Sequence, residues 1–176
     1  MEREQSRTIK AVQFAIQMEI DGKEYYQRAS QESSNRVGKE LFEWLAAEED
    51  KHRQKFEAIY SSLKSENAWP EVDIQPRKGD ILNTFFSEAM RAAGPTVKPA
   101  STELDTIAKA MEMENKTEKF YSSQGKKATY DAEKKLYTSL AAEERGHYLT
   151  LVDYREYLID PAGWFRKTEH HSLDGG

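Results

Sequence analysis

The residues that decide how this sequence folds are LAAEEDKH at 45–52 and LAAEERGH at 140–147. Six of the eight positions are identical, and the two stretches lie 95 residues apart. Self-similarity at a fixed spacing is the signature of an internal structural repeat. Each copy contains a Glu-x-x-His motif, and residues three apart share one face of an α-helix. The sequence therefore predicts two copies of one helical unit, each with a glutamate and a histidine on the same side.

The repeat continues into a second helix that precedes each motif. AIQME at 15–19 and AMEME at 110–114 have the same spacing, and seven residues after each final glutamate comes a tyrosine, Tyr26 or Tyr121. Several apolar residues differ between the copies, whereas the glutamates and histidines are the same in both. The polar residues that recur are Glu19, Glu49 and His52 in the first copy and Glu114, Glu144 and His147 in the second.

Apolar residues recur at helical spacing in four long segments, which span about residues 4–31, 37–63, 101–125 and 130–158. Residues 64–101, interrupted by proline and glycine, join the second segment to the third and include a short helix with Asp80 as its expected N-cap. Two repeated hairpins joined by one long crossover predict an all-α, ferritin-like four-helix bundle. We expect residues 1–160 to form this bundle and residues 161–176 a C-terminal tail.

The composition of the 176-residue chain excludes several classes of protein. No cysteine is present, which excludes disulfides, iron–sulfur clusters and cysteine-bound zinc. The net charge is -5 and the basic residues form no stripe, so no nucleic-acid partner is expected. No apolar run approaches the roughly 18 residues of a membrane span, and the N-terminus has no apolar segment typical of a secretory signal. A cytoplasmic protein with no membrane partner is therefore expected.

The recurring polar residues lie on the apolar faces of their predicted helices. Glu49 and His52 share a face with Leu41, Leu45 and Phe56, and the other four lie among apolar residues in the same way. Buried charges each cost several kcal/mol when they are not compensated. Two divalent cations would balance the four carboxylates, so the pattern predicts a site for two metal ions. The alternative is a duplicated bundle with a purely structural role.

On these six residues, the chain resembles the rubrerythrin-like branch of the ferritin-like superfamily over about residues 5–160. The resemblance implies a non-haem di-iron centre with two iron ions as cofactor, and zinc or manganese as alternative ions in the purified protein. It implies six metal ligands: Glu19, Glu49, His52, Glu114, Glu144 and His147. It also implies that Tyr26 and Tyr121 are the family's tyrosines near the ions, with a catalytic role.

Two departures from the family pattern are visible. Full rubrerythrins contain a rubredoxin domain whose iron is bound by cysteines, which this sequence lacks, so a separate rubredoxin-like protein is the expected electron donor. Rubrerythrins also have a further carboxylate one turn beyond the third-helix ligand, where this chain has Thr117 and, in the other repeat, Gly22. The ligand set is then symmetric, which weakens direct transfer of the rubrerythrin peroxidase mechanism to this chain.

Three functions are compatible with such a site. The first is an oxidoreductase that reduces hydrogen peroxide, or oxygen, with electrons from an external donor. The second is a ferroxidase that handles iron, and the third is a non-catalytic bundle with a structural metal. If iron occupies the site, we expect Glu49 and Glu144 to bridge the two ions, with Glu19 and Glu114 as terminal ligands.

Two further pairs of repeated residues have alternative interpretations. Tyr26 and Tyr121 either donate a hydrogen bond or a proton at the site, or are core aromatics whose hydroxyls bond to backbone. Glu48 and Glu143 also recur, and either they contact the metal site or they are solvated residues in ion pairs. We favour the solvated interpretation for these two glutamates.

The crossover and the C-terminal residues bear on oligomeric state. A homodimer is expected, with Phe85, Phe86 and Trp164 as candidate contacts, and the alternative is that these side chains pack against the ends of their own bundle. His170 and His171 have no Glu-x-x-His context, so we interpret them as part of a polar tail.

Overall fold

The computed structural model describes residues 2–65, 69–70, 80–94 and 101–173. It contains six helices, α1 (Glu2–Glu32), α2 (Arg36–Ser65), α3 (Asp80–Ala93), α4 (Ser101–Lys127), α5 (Asp131–Ile159) and α6 (Pro161–Leu173). No β-strand occurs in these ranges. The order and spacing of the long helices confirm the predicted all-α, ferritin-like bundle. No helix in the described part of the chain is both long and apolar enough to cross a membrane.

The long helices pair as two hairpins. α1 packs along α2 and α4 along α5, and α1 also contacts α4. The short α3 lies against α2 and α5, and α6 lies against α5. Helices of 27 to 31 residues are about 40–47 Å long at 1.5 Å per residue. That length leaves room for a polar site at the middle of the bundle with an apolar core on both sides of it.

Asn35 sets the start of α2 and so the turn of the first hairpin. Its side-chain Oδ1 accepts a hydrogen bond from the backbone N–H of Gly38 at 2.8 Å. This is the N-cap to N3 bond, which satisfies one of the free N–H groups of the first helical turn. The turn lies at the Ser33-Ser34-Asn35 break that separates the first two predicted segments.

The third long helix ends two residues beyond Gly125, near which the sequence predicted a break. α4 continues to Lys127. Gly125 is buried against α5, where an added Cβ would lie 3.5 Å from both Thr138 Oγ1 and Tyr137 Cβ. The glycine therefore permits close approach of two helices and does not end one. α5 begins after Tyr130, its N-cap.

The residues expected to form a C-terminal tail begin with a helix. Asp160 is the N-cap of α6, because its Oδ1 accepts the backbone N–H of Gly163 at 2.9 Å, and Pro161 occupies the first helical position. Trp164 then packs back onto α5, where its indole Nε1 donates to Asp153 Oδ1 at 2.8 Å. Since Trp164 is only 3% exposed, the first turn of α6 packs against the bundle.

Two of the candidate dimer contacts serve the chain's own core. Phe86 and Trp164 are both buried in it. The alternative of packing within the bundle is therefore correct for these two residues, and the dimer-contact interpretation is wrong for them. The side chains of Phe85, His170 and His171 lie outside the described residues. The homodimer itself stays a prediction.

Buried apolar residues form two clusters, one on each side of the middle of the bundle. The first lies where α1 ends and α2 begins and includes Tyr26, Phe42, Ile107 and Tyr154. The second lies toward the opposite end and includes Val12, Phe56, Tyr121 and Leu140. Every long helix contributes to both clusters. The short stretch of each helix between them holds the recurring polar residues.

Candidate metal centre

The middle of the bundle is polar although it is buried. The six recurring residues lie on the same helix faces as the core, so the packing that buries the core also buries them. All are at most 4% exposed: Glu19, Glu49, His52, Glu114, Glu144 and His147. The helices bring all six together, as the repeat predicts.

These residues form two overlapping groups of metal-ligand type. In each group, one donor atom from each residue lies within 4.8 Å of the others. The groups are Glu19, Glu49, His52 and Glu144, and Glu49, Glu114, Glu144 and His147. Glu49 and Glu144 belong to both, which is the geometry expected of carboxylates placed between two ions.

Both histidines turn the same ring nitrogen toward the carboxylates. His52 Nδ1 lies 3.0 Å from Glu144 Oε1 and 3.6 Å from Glu19 Oε2. His147 Nδ1 lies 3.5 Å from Glu114 Oε2 and 3.6 Å from Glu49 Oε1. The two imidazole rings stack, with their centroids 5.8 Å apart. Two Nδ1 atoms therefore face the same space as the carboxylate oxygens.

The donor atoms at this centre lack hydrogen-bond partners. Each of the six residues has one buried atom that makes no hydrogen bond of suitable geometry, and this includes the His52 Nδ1–Glu144 Oε1 contact at 3.0 Å. The atoms are Glu19 Oε2, Glu49 Oε1, His52 Nδ1, Glu114 Oε2, Glu144 Oε1 and His147 Nδ1. Most buried polar atoms in proteins are paired, because an unpaired one costs about 1–3 kcal/mol. Oxygen and imidazole donors aimed at one space fit divalent iron, manganese or zinc. The residues present therefore fit a pair of metal ions.

The two tyrosines connect the hairpins at this centre. Tyr26 on α1 donates a hydrogen bond to Glu114 Oε1 on α4, and Tyr121 on α4 donates one to Glu19 Oε1 on α1. The hydroxyls do not bond to backbone, so that alternative is wrong. Burial, followed by the negative charge of the bonded glutamate, raises the pKa of both tyrosines well above 10. Both therefore stay protonated and continue to donate at neutral pH.

The carboxylates at the centre repel one another. Burial and the negative charges of Glu144 and Glu19 raise the pKa of Glu49 well above its usual value. Burial and the charge of Glu114 have the same effect on the pKa of Glu144. Burial acts to raise the pKa of Glu114, but the charge of His147 and the hydrogen bonds from His147, Glu144 and Tyr26 together lower that pKa below its usual value. The cluster therefore demands positive charge, which two divalent cations would supply.

The amino-acid sequence matches the Rubrerythrin family profile over residues 10–154, a range that includes all six clustered residues. The chain belongs to the rubrerythrin family. Among solved structures, a hypothetical protein from Pyrococcus furiosus is similar, with 27% sequence identity and a TM-score of 0.63. The similarity covers 86% of this chain and 89% of that chain. No curated protein matches the sequence. In a rubrerythrin-family chain, the buried cluster of glutamates and histidines is compatible with a di-iron site.

Glu143 and Glu48 are not the solvated side chains that the sequence favoured. The Glu143 side chain is only 13% exposed, and its Oε2 lies 3.0 Å from His52 Nε2. Glu48 is 2% exposed, and its Oε1 accepts from Lys51 Nζ at 2.6 Å. The sequence did not predict the contacts of Glu143 because they come from another helix, where His52 and Lys55 lie on α2. The position before each motif glutamate is therefore part of the interior of this rubrerythrin-family bundle.

Gly22 and Thr117 occupy the positions where rubrerythrins were expected to have a further carboxylate. A Cβ at Gly22 would lie 2.8 Å from Glu49 Oε2, so Glu49 uses the space that a side chain would need. The Thr117 hydroxyl bonds to the backbone oxygen of Met113 at 3.1 Å, within its own helix. Neither position adds a ligand, and the set of six stays symmetric.

A buried carboxylate outside the repeated set, Glu103, has no signal in the repeat because its counterpart is Thr8. Glu103 Oε1 accepts hydrogen bonds from Ser33 Oγ at 2.6 Å and Tyr154 OH at 2.8 Å. It also lies 3.1 Å from Asn35 Nδ2, and Oε2 accepts from Ser34 Oγ at 2.8 Å. We refer to these five residues as the Glu103 cluster. It ties α4 to the turn of the first hairpin.

Proposed function

We propose that this rubrerythrin-family chain is a non-haem di-iron oxidoreductase that reduces hydrogen peroxide, or oxygen, with electrons from an external donor. One observation carries the proposal: two groups of four buried donor residues share Glu49 and Glu144. Two ion positions with a common pair of carboxylates are the arrangement of dinuclear carboxylate sites in helical bundles. The unpartnered donor atom in each of the six residues supports the presence of ions.

The proposed ligand roles follow from the two groups. Glu49 and Glu144 belong to both groups and would therefore contribute to holding both ions. The terminal ligands are Glu19 and His52 at one position, called the His52 position, and Glu114 and His147 at the other, called the His147 position. Each histidine binds through Nδ1, the ring nitrogen that faces the carboxylates.

Two ferrous ions held there would supply the two electrons that convert hydrogen peroxide and two protons into two molecules of water. The apolar clusters on both sides exclude bulk water from the centre. Tyr26 and Tyr121 orient the carboxylates of Glu114 and Glu19 through their hydrogen bonds. Because burial raises the pKa of these phenols, each holds its proton at the hydroxyl beside the site. This is their proposed catalytic contribution.

The test is stopped-flow mixing of the anaerobic ferrous protein with hydrogen peroxide. The wild type is expected to be oxidised about 100-fold faster than the His52→Ala/His147→Ala double variant. The Glu103→Gln variant is the matched control, because it changes a buried glutamate away from the centre and should react at the wild-type rate. Equal rates for wild type and double variant would reject the proposal. Native protein that contains only zinc would favour the structural-metal alternative.

A further inference from the structure

The two histidines of the centre have different surroundings on the side that faces away from the carboxylates. His52 Nε2 lies 3.0 Å from Glu143 Oε2. Glu143 is itself anchored, since its Oε1 lies 3.5 Å from Ser139 Oγ and 3.8 Å from Lys55 Nζ. The carboxylate that contacts His52 is therefore held in place from two sides.

His147 has no comparable carboxylate. Among the described residues, none forms a hydrogen bond with His147 Nε2, and the ring instead meets Trp44 edge to face, with centroids 5.2 Å apart at 90°. The repeat counterpart of Glu143 is Glu48, whose Oε1 bonds to Lys51. The histidine of the second repeat therefore packs against an aromatic ring where that of the first repeat meets an anchored glutamate.

The sequence explains why the two repeats diverge at this layer. Trp44 corresponds to Ser139, Lys51 to Gly146 and Lys55 to Thr150 in the repeat. In the second repeat, Ser139 supports Glu143, whereas Trp44 fills the equivalent place in the first. Lys51 bonds Glu48, whereas its counterpart has no side chain. The six proposed ligands are symmetric, but the residues that surround them are not.

A carboxylate at Nε2 changes what a histidine offers to a metal ion. When Nε2–H donates to Glu143, Nδ1 is left as the free electron pair that faces the proposed site, and the imidazole becomes a stronger donor. At His147, no described residue provides a carboxylate or carbonyl acceptor for Nε2, so none of them selects this tautomer or strengthens the donor in the same way. The geometry therefore favours tighter binding at the side of His52.

We infer that the two metal positions are unequal: Glu143 is a positioning residue that makes the His52 position the tighter one, and the Trp44-lined His147 position fills last. This inference rests on the proposed dinuclear site. The two positions therefore fill in two steps, and the ion at the His147 position is the one that exchanges. Glu143 acts through His52 and is not itself a ligand.

The experiment is an anaerobic titration of the metal-free full-length chain with Co²⁺, followed by calorimetry and by visible absorption of the bound ion. The wild type is expected to bind two ions in two steps that differ by about tenfold or more. Glu143→Gln is expected to weaken the tighter step by about 10–100-fold and to bring the steps together. Glu48→Gln, at the counterpart position, is the matched control and should leave both steps unchanged.

Single-ligand variants assign the steps and keep the test decisive if Glu143→Gln fails to fold. His147→Ala should keep one tight step, and His52→Ala should keep one weak step. Equal steps in the wild type, equal weakening by Glu143→Gln and Glu48→Gln, or no binding of Co²⁺ would each overturn the inference. Two unequal steps in a protein that peroxide does not oxidise would overturn the proposed function alone. Rapid oxidation with two equal steps would overturn this inference alone.

Discussion

Two of the places where this bundle buries glutamate, the Glu103 cluster and the metal centre, differ in one respect. At the Glu103 cluster, a carboxylate that is 5% exposed accepts bonds from Ser33, Ser34 and Tyr154, so both of its oxygens are paired. At the centre, glutamates that are equally buried keep one unpaired oxygen each, and the two histidines each keep an unpaired nitrogen. Burial is the same at both places, whereas hydrogen-bond satisfaction is not.

The difference separates a structural use of buried charge from a ligand-binding use. A buried carboxylate with a full set of donors stabilises the fold, because its desolvation is offset by charge-assisted hydrogen bonds. A group of buried carboxylates with unpaired atoms destabilises the metal-free chain. This cost is offset only when a cation binds. In the metal-free chain, replacing a glutamate is therefore expected to lower stability at the Glu103 cluster and to raise it at the centre.

The largest expected effect is on the centre when metal is added. An ion that binds only the native state stabilises it by about 4 kcal/mol when present at 1,000 times its dissociation constant. Adding Co²⁺ should therefore raise the free energy of unfolding by about this amount for each ion bound. The Glu49→Gln/Glu144→Gln double variant should lose this gain in chemical unfolding experiments. An equal gain in that variant would place the ions elsewhere.

The next effect belongs to the Glu103 cluster. Glu103→Ala removes the shared acceptor of two serines, an asparagine and a tyrosine, and leaves their buried polar atoms without it. We expect the free energy of unfolding to fall by about 2–4 kcal/mol in the metal-free chain. The Co²⁺ affinity should stay unchanged. A loss of affinity would show that the two places are coupled.

Glu49→Gln should act in the opposite direction in the metal-free chain and raise the free energy of unfolding by about 1–3 kcal/mol at pH 7. The pKa of Glu49 is raised in the native state, so its contribution to stability is present at low pH and is lost as pH rises. The advantage of the variant should therefore grow as pH rises above about 4.5, the usual value. It should vanish below that pH, where the carboxyl is protonated in both states. Urea unfolding of both proteins from pH 4 to pH 8 measures this difference in the free energy of unfolding.

The smallest effect on stability is expected for Gly22→Ala. An alanine inside a helix gains about 0.5–1 kcal/mol over glycine, but its Cβ would lie 2.8 Å from Glu49 Oε2 and displace that carboxylate. The variant should therefore keep its stability and bind Co²⁺ more weakly. Gly146→Ala is the matched control, since a Cβ there has nothing within 4 Å, and it should gain stability with no change in affinity. Unchanged affinity in both would show that Gly22 does not serve Glu49.

Much of the fold is readable from the sequence because it was copied within the chain. Two helical hairpins with matching polar residues predict the bundle and place Glu49 and His52 on a buried face, and the structure has both. That the six residues meet in space follows from helical spacing together with the packing of the two repeated hairpins into one bundle. Their ligation of metal and the roles of the tyrosines stay proposals.

The features that the sequence did not reveal depend on contacts between helices that the repeat does not share. Gly125 looks like a helix end in isolation, but contact with α5 keeps it helical. Glu103 bonds to a turn about 70 residues earlier in the chain, a pairing that no local pattern encodes. The start of α6 can be predicted from the local sequence, since Asp160-Pro161 is a typical pair of N-cap and first helical residue.

The crossed hydrogen bonds of Tyr26 and Tyr121 mean that the centre depends on both halves of the gene. Each hairpin supplies the phenol that orients a carboxylate on the other, so neither half of the gene encodes a self-sufficient centre. A substitution at Tyr26 removes the hydrogen bond to Glu114, and one at Tyr121 removes the hydrogen bond to Glu19. A change in either half therefore alters a centre that both halves share, although the residues around the six differ between the repeats.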